Sequence, residues 1–207
     1  MNGVRIPASD ETAWIRQAQQ GSAAAFTSLV EAWQSPLYNF CYRMLGEPEA
    51  AEDAAQETFL KAYQNLARYD KQRPFGTWLL AIAAHHCIDQ LRRRHLLPIS
   101  MDAFDDQGAR LPDRNASDPE TETFRRLERE QIQRLLQSLD PIQRSILVLH
   151  YWQQASEAEI GLALHISPLA VKARLHRAKR TLARLWEMQP AYPHMGRIAG
   201  ENLPIQA

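Results

Sequence analysis

The thirty residues from Ser156 to Leu185 allow very few conformations. Ser156 followed by Glu159 forms a capping box, each side chain answering a free backbone donor at the other's position, so a helix starts at about Ser156. Ile160, Ala163 and Leu164 give that short helix a buried side. Ser167 then caps a new helix with Pro168 in its first turn, where a missing backbone donor costs nothing. The turn falls around His165 and Ile166. In the second helix Val171, Leu175, Ala178, Leu182 and Leu185 recur at steps of four and three, within about 40° of one line. This pattern predicts a helix-turn-helix.

Opposite that line stand Leu169, Ala170, Ala173, His176, Arg177, Arg180 and Arg184, with Lys172 and Lys179 beside them. Six cations lie between Lys172 and Arg184, and Glu187 is the one acid nearby. A helix that exposes a charged face only to solvent interleaves acids and bases at four-residue spacing. This one does not, which points to an external polyanion, and phosphate fits both charge and geometry.

Over the whole chain 24 cations balance 24 anions, so net charge selects no partner. Distribution is more telling. Glu47 to Glu57 holds five acids and no cation, Arg92 to Arg94 is a basic triplet, and Asp102 to Glu122 holds seven acids against two arginines. No stretch reaches the roughly 20 apolar residues of a bilayer span, and no secretion signal begins the chain, which predicts a cytoplasmic protein with no membrane insertion. Cys41 and Cys87 are isolated in apolar helical surroundings and read as buried thiols.

Prolines, a glycine and acids without apolar periodicity make residues 98–118 a flexible acidic linker. Two domains flank it, over 8–97 and 119–187, and a frayed tail follows over 188–207. Asp118–Pro119 and Asp140–Pro141 each start a helix in the downstream domain. With no sustained alternation anywhere, the fold class is all-α.

In the upstream domain Glu49 to Leu66 reads as one helix with Ala51, Ala55, Thr58, Phe59, Ala62 and Leu66 inward. Its outer face gathers Asp53, Gln56, Glu57, Leu60 and Gln64, a leucine among polar and acidic groups. Such a patch suits a basic protein partner, the leucine supplying buried area and the carboxylates the sign. Lys71, Arg73, Phe75 and Trp78 then set aromatics beside cations, the combination that stacks and tracks unpaired bases. Phe75 and Trp78 also suit a core position at a helix start. His85, His86 and Cys87 do not share a helix face, so no metal and no cofactor is expected. A catalytic constellation is also absent from the sequence.

The segments AFTSLVEAW, LYNFCYRMLGEPEAAEDAAQETFLKAY, RPFGTWLLAIAAHHCIDQLRRR and LDPIQRSILVLHYWQQASEAEIGLALHISPLAVKARLHRAKRTL occur in an order that resembles the bacterial sigma factors of the extracytoplasmic-function class. The resemblance covers Ala13 to Leu185. It implies an alternative sigma factor, not an enzyme, that binds core RNA polymerase through the clamp helices of the largest subunit and the flap of the second largest. It further implies promoter DNA as partner, melted at the minus-ten element and double-stranded at the minus-thirty-five element, and an anti-sigma factor. By the same resemblance, Asp53, Gln56, Glu57, Leu60 and Gln64 bind polymerase. Lys71, Arg73, Phe75, Trp78, His85, Arg92, Arg93 and Arg94 serve the minus-ten element. Ser167, Leu169, Ala170, Lys172, Ala173, His176, Arg177 and Arg180 serve the minus-thirty-five element.

Three departures from the family pattern bear on specificity. His85 replaces a common asparagine and changes the donors and acceptors offered to a base. Leu169, Ala170 and Ala173 put methyl groups where hydroxyls are common, which suits thymine. Gly161 replaces alanine, so either the two helices pack more closely there or the first is weaker. The competing reading is a stand-alone helix-turn-helix regulator, which needs neither the acidic face of residues 49–66 nor the acidic linker. A metal-dependent enzyme built on His85, His86 and Cys87 is more distant.

Overall fold

A computed structural model describes residues 8–71, 73–96 and 119–188. The linker expected over 98–118 and the tail expected beyond Met188 lie outside the described residues. Those residues form α-helices joined by turns, with one short 3-10 turn at Leu66–Arg68 and no strand.

The first four helices are α1 (Ala8–Gln19), α2 (Ala23–Leu45), α3 (Pro48–Asn65) and α4 (Phe75–Leu96). Their boundaries follow from local chemistry. Ser22 accepts from the Ala25 amide to open α2, and Gly46, at φ 85°, closes it by donating to the Tyr42 carbonyl. A left-handed residue at that place is the ordinary helix stop, and glycine adopts it without steric cost. Pro48 fills the first turn of α3. Leu29, Leu37, Phe40, Cys41 and Met44 of α2 meet Ala51, Ala54 and Ala62 of α3 and Leu79, Ala83 and Cys87 of α4, all buried. The alanines let backbones approach closely, so α2, α3 and α4 form one tight bundle. Cys41 and Cys87 are both buried there as free thiols. Their mutual hydrogen bond and then burial push the Cys87 thiol up.

The remaining helices are α5 (Pro119–Gln137), α6 (Pro141–Trp152), α7 (Glu157–Leu164) and α8 (Pro168–Glu187). Asp140 caps α6 by accepting from the Ile142 and Gln143 amides, both at 3.0 Å. Ile146, Leu147, Val148 and Leu149 of α6 pack on Ile160 and Leu164 of α7 and on Val171, Leu175 and Ala178 of α8. The apolar stripe of α8 fades beyond Ala178, where Leu182 and Leu185 are only half-buried.

The two halves do not stand apart. α4 packs on α6 and α7 as well as on α2 and α3, and α2 touches both α5 and α6. A flexible linker between two domains does not foretell this contact, because no local pattern encodes which remote helix a second apolar face will meet.

Candidate polymerase and nucleic-acid interface

The helix-turn-helix forms where the capping chemistry places it. Glu159 accepts from the Ser156 amide at 2.8 Å and from its hydroxyl at 2.7 Å, while Ser156 Oγ accepts from the Glu159 amide at 3.2 Å. Those bonds, the hydroxyl's first, hold the Glu159 carboxyl below the usual range. α7 ends at His165, which adopts φ 55°. The amides of His165 and Ile166 both donate to the Gly161 carbonyl, the latter at 3.0 Å. A Cβ at Gly161 would stand 2.7 Å from the Ile166 carbonyl oxygen. Of the two alternatives for Gly161, the structure therefore has the closer packing: the turn folds back onto bare backbone. Ser167 Oγ then accepts from the Ala170 amide at 3.2 Å and α8 begins.

On α8, Lys172, Ala173, His176, Arg177 and Arg180 are exposed, Ala170 is half-exposed, and Leu169 is 77% exposed. Leu162 of α7 adds a further exposed apolar group beside the turn. Among the described residues Lys172, Arg177 and Arg180 have no ion-pair partner. Arg177 bonds only back to the Ala173 carbonyl, at 3.4 Å. Lys179 differs, because its ammonium lies 5.2 Å from the centre of the Tyr151 ring and is held there by a cation–π contact. The outer face of α8 is thus small and apolar at its start and cationic along its length.

On α3, Asp53, Gln56, Leu60 and Gln64 are exposed together as the helical projection requires. Leu60 is 52% exposed and Tyr63, which the projection left out, is 49% exposed. Tyr63 sits at the edge of the same face with its ring against Phe26, centroids 4.8 Å apart. Its position beside Leu60, one turn on, was the available signal. Glu57 is half-buried rather than free: Lys61 pairs with it at 3.3 Å and also meets His86 Nδ1 at 3.0 Å. Burial, then the Lys61 charge, lowers the His86 pKa.

The aromatic stretch at the start of α4 needs a correction. Phe75 is only 2% exposed, its ring 5.6 Å from both Tyr69 and Trp78 and 6.2 Å from Trp33. A ring enclosed on those sides cannot also stack on a base, so Phe75 is a core residue. Gly76 shows why the cluster closes here, since a Cβ on it would stand 2.0 Å from the Trp33 ring. Trp33 in turn donates to Glu11 at 2.8 Å, fastening α1 to this corner. Trp78 keeps part of its surface open. In the loop before α4, Lys71 and Arg73 are exposed and Arg73 is 3.9 Å from Asp70. The Tyr69 hydroxyl donates to the Arg73 carbonyl and fixes the loop. Burial, with Glu11 and Asp70 nearby, pushes that phenol up to about 12.

Farther along α4, His85 is exposed and its Nδ1 lies 2.8 Å from the Ala81 carbonyl. A carbonyl only accepts, so Nδ1 carries a proton in this bond and Nε2 is left for another partner. Arg92 and Arg93 are exposed at the helix end. Arg94 is exposed but engaged with Glu47 at 2.7 Å, so it is not a free cation. Among the described residues no three His, Cys, Asp or Glu side chains gather as a metal set. No described helix is long and apolar enough to cross a membrane.

Comparison with known proteins places both halves. The Sigma-70 region 2 family model matches residues 29–96, and the Sigma-70, region 4 model matches residues 129–182. The chain is 33% identical over 174 residues to the ECF RNA polymerase sigma factor SigW of Bacillus subtilis (strain 168), covering 82% of this chain and 93% of that one. It is 33% identical over 180 residues to the RNA polymerase sigma factor NccH of Alcaligenes xylosoxydans xylosoxydans, covering 86% and 95%. Among solved structures, CnrH in complex with the cytosolic domain of CnrY superposes with a TM-score of 0.66 at 24% identity, over 87% of this chain and 99% of that one. The sigma factor RpoE in complex with the anti-sigma factor NepR from Bartonella quintana gives a TM-score of 0.60 at 20% identity, over 80% and 98%.

Proposed function

The chain belongs to the extracytoplasmic-function class of the sigma-70 family, and from that premise we propose how its surfaces divide the work of promoter-specific initiation. As an alternative sigma factor it binds core RNA polymerase and promoter DNA and directs transcription initiation. Residues 8–97 serve as the polymerase-binding and minus-ten unit, 98–118 as an acidic linker, and 119–187 as the minus-thirty-five unit.

Asp53, Gln56, Leu60 and Gln64 meet the polymerase clamp, with Tyr63 extending the apolar contact and Glu57 exchanging its Lys61 partner for a cation of the polymerase. Lys71, Arg73, Arg92 and Arg93 hold the backbone of the melted strand, and Trp78 and His85 face its bases. Phe75 shapes the loop from within. Leu169, Ala170 and Ala173 face base edges in the major groove, and Lys172, His176, Arg177 and Arg180 meet phosphates or guanines. The protein recognises and opens DNA and leaves the chemistry to polymerase, so it is not an enzyme, and it acts in the cytoplasm. An anti-sigma factor binds it, as the similarly folded sigma factor RpoE is seen in complex with the anti-sigma factor NepR.

The observation that carries this reading is one chain exposing both an acidic, leucine-centred face on α3 and a cationic face without ion pairs on α8. Runoff transcription by purified core polymerase over a promoter library tests it. New transcript starts that share two spaced elements are expected when the protein is added. Duplex binding by the protein alone with no new starts would replace this reading with an ordinary regulator.

A further inference from the structure

Two adjacent histidines of α4 make opposite bonds. His85 Nδ1 lies 2.8 Å from the Ala81 carbonyl, which accepts, so that nitrogen already carries a proton and the bond survives if the ring takes up another. His86 Nδ1 lies 3.0 Å from the Lys61 ammonium, a group with three donors and no acceptor. There the nitrogen offers its lone pair, so the His86 ring is neutral with its proton on Nε2. A second proton would set two cations against each other and end the bond.

The same ammonium stands 3.3 Å from the Glu57 carboxylate, one turn earlier on α3, and both side chains are half-exposed. An exposed pair of this kind at four-residue spacing is weak and keeps no single geometry. The bond from α4 gives Lys61 a second anchor, outside the helix it grows from. Pulled toward α4, the cation is kept to the flank of the face formed by Asp53, Gln56, Leu60 and Gln64. The charged groups that bear on the His86 ring are Lys61 and Glu57 from α3 and Asp89 and Arg93 from α4 itself, and that set draws on these two helices alone. While the ring is neutral, Glu57 and Lys61 cancel. Once it is protonated, the three side chains carry a net positive charge beside an acidic face suited to a basic partner.

We propose that His86 is a positioning residue for polymerase binding: by accepting from Lys61 it holds that cation beside Glu57 and off the α3 face, and a proton on its ring releases the hold, so that binding weakens in mildly acid conditions. This rests on the reading of the α3 face as the polymerase contact. Burial first, then the Lys61 charge, keeps the ring from protonating at its ordinary value of 6.5, so the hold is complete at neutral pH and is lost below that value. A polymerase cation brought to Glu57 disfavours the proton further. Proton and polymerase therefore oppose each other reciprocally.

The test measures binding of the full chain to purified core polymerase by fluorescence anisotropy, from about pH 7.5 to about pH 5.5 to bracket an ordinary imidazole. Circular dichroism at each pH keeps folding separate, because the lowered folded-state value also takes stability away as pH falls below about 6.5. The wild-type Kd should rise several-fold on acidification, by no more than about tenfold per pH unit for a single proton. His86→Asn, whose amide oxygen can stand where Nδ1 stands and takes up no proton, should keep the neutral affinity within about twofold and lose most of that rise. His86→Leu, with no acceptor, should weaken binding at every pH while Lys61 is present, and should add nothing in a Lys61→Met background. Equal pH profiles for wild type and His86→Asn overturn the inference. A His86→Leu loss undiminished by Lys61→Met overturns it too, since that loss would be structural alone. No binding at neutral pH, or binding indifferent to Glu57→Lys, would instead overturn the reading of the α3 face, and this inference with it.

Discussion

α4 and α8 are similar in length and both carry cations and large apolar side chains, yet one is central and the other peripheral. α4 is enclosed by α2, α3, α6 and α7, burying Phe75, Leu79, Leu80, Ala83, Ala84, Cys87, Ile88 and Leu91. α8 packs chiefly on α6 and α7 and buries Val171, Leu175 and Ala178. On a peripheral helix, one-sided burial leaves the whole opposite face free, so composition reads directly as surface. On a central helix the same residue types are claimed by neighbours from several sides. Phe75 goes into an aromatic cluster, and at the end of α4 Arg94 goes to Glu47.

That contrast can be broken at several points, and the largest effect is expected at Phe75. Phe75→Ala should lower stability by about 3–5 kcal/mol, the cost of emptying a large aromatic site in a core, measured by urea unfolding. A loss below about 1 kcal/mol together with failed promoter melting would return Phe75 to the DNA surface.

On the peripheral helix the prediction inverts. Arg177→Ala or Arg180→Ala should leave stability nearly unchanged and weaken duplex binding by about 1–3 kcal/mol for a base-edge contact, less for phosphate alone. Glu57→Lys should weaken polymerase binding and spare duplex binding. Fluorescence anisotropy against duplex and core polymerase separates the two, and equal damage to both by each change would dissolve the division of labour.

Gly161→Ala tests how tightly the turn joins α7 to α8. With a Cβ 2.7 Å from the Ile166 carbonyl oxygen, it should cost about 1–3 kcal/mol, despite alanine's better helix propensity. A stabilised variant in urea unfolding would show that the turn yields freely.

Smaller still is the capping box. Ser156→Ala should cost about 1 kcal/mol, and the effect should depend on pH. Glu159 is held below the usual carboxylate range by the Ser156 hydroxyl and amide. Its contribution is present above the unfolded-state value of about 4.3 and fades as pH falls through the lower folded-state value. Urea midpoints of wild type and variant should therefore converge as pH drops below about 4; a constant gap would place the stabilisation elsewhere.

The smallest effect probes the apolar start of α8. Replacing thymines opposite Leu169, Ala170 or Ala173 by uracil should weaken duplex binding by at most about 0.8 kcal/mol per methyl removed, measured by competition. Unchanged binding at every such position would mean these side chains do not touch thymine methyls.

Much of this molecule is determined within short stretches of chain. Ser156 with Glu159, Ser167 with Pro168, and Asp140 with Pro141 place helix starts through bonds spanning three residues, and the structure has those helices where the caps put them. The outer faces of α3 and α8 were legible for the same reason, since a helical period of 3.6 residues orders side chains around an axis without reference to anything distant. What the sequence by itself left open are the relations between segments far apart in the chain. One of the rings that enclose Phe75 comes from Trp33, the acid that engages Arg94 is Glu47, and the side-chain donors to the last carbonyls of α2 come from Gln133 and Arg144. Periodicity states that a face is apolar or that a carbonyl lacks a partner; only tertiary packing chooses which remote group answers it. Here that choice set α6 and α7 against α4, and α5 and α6 against α2.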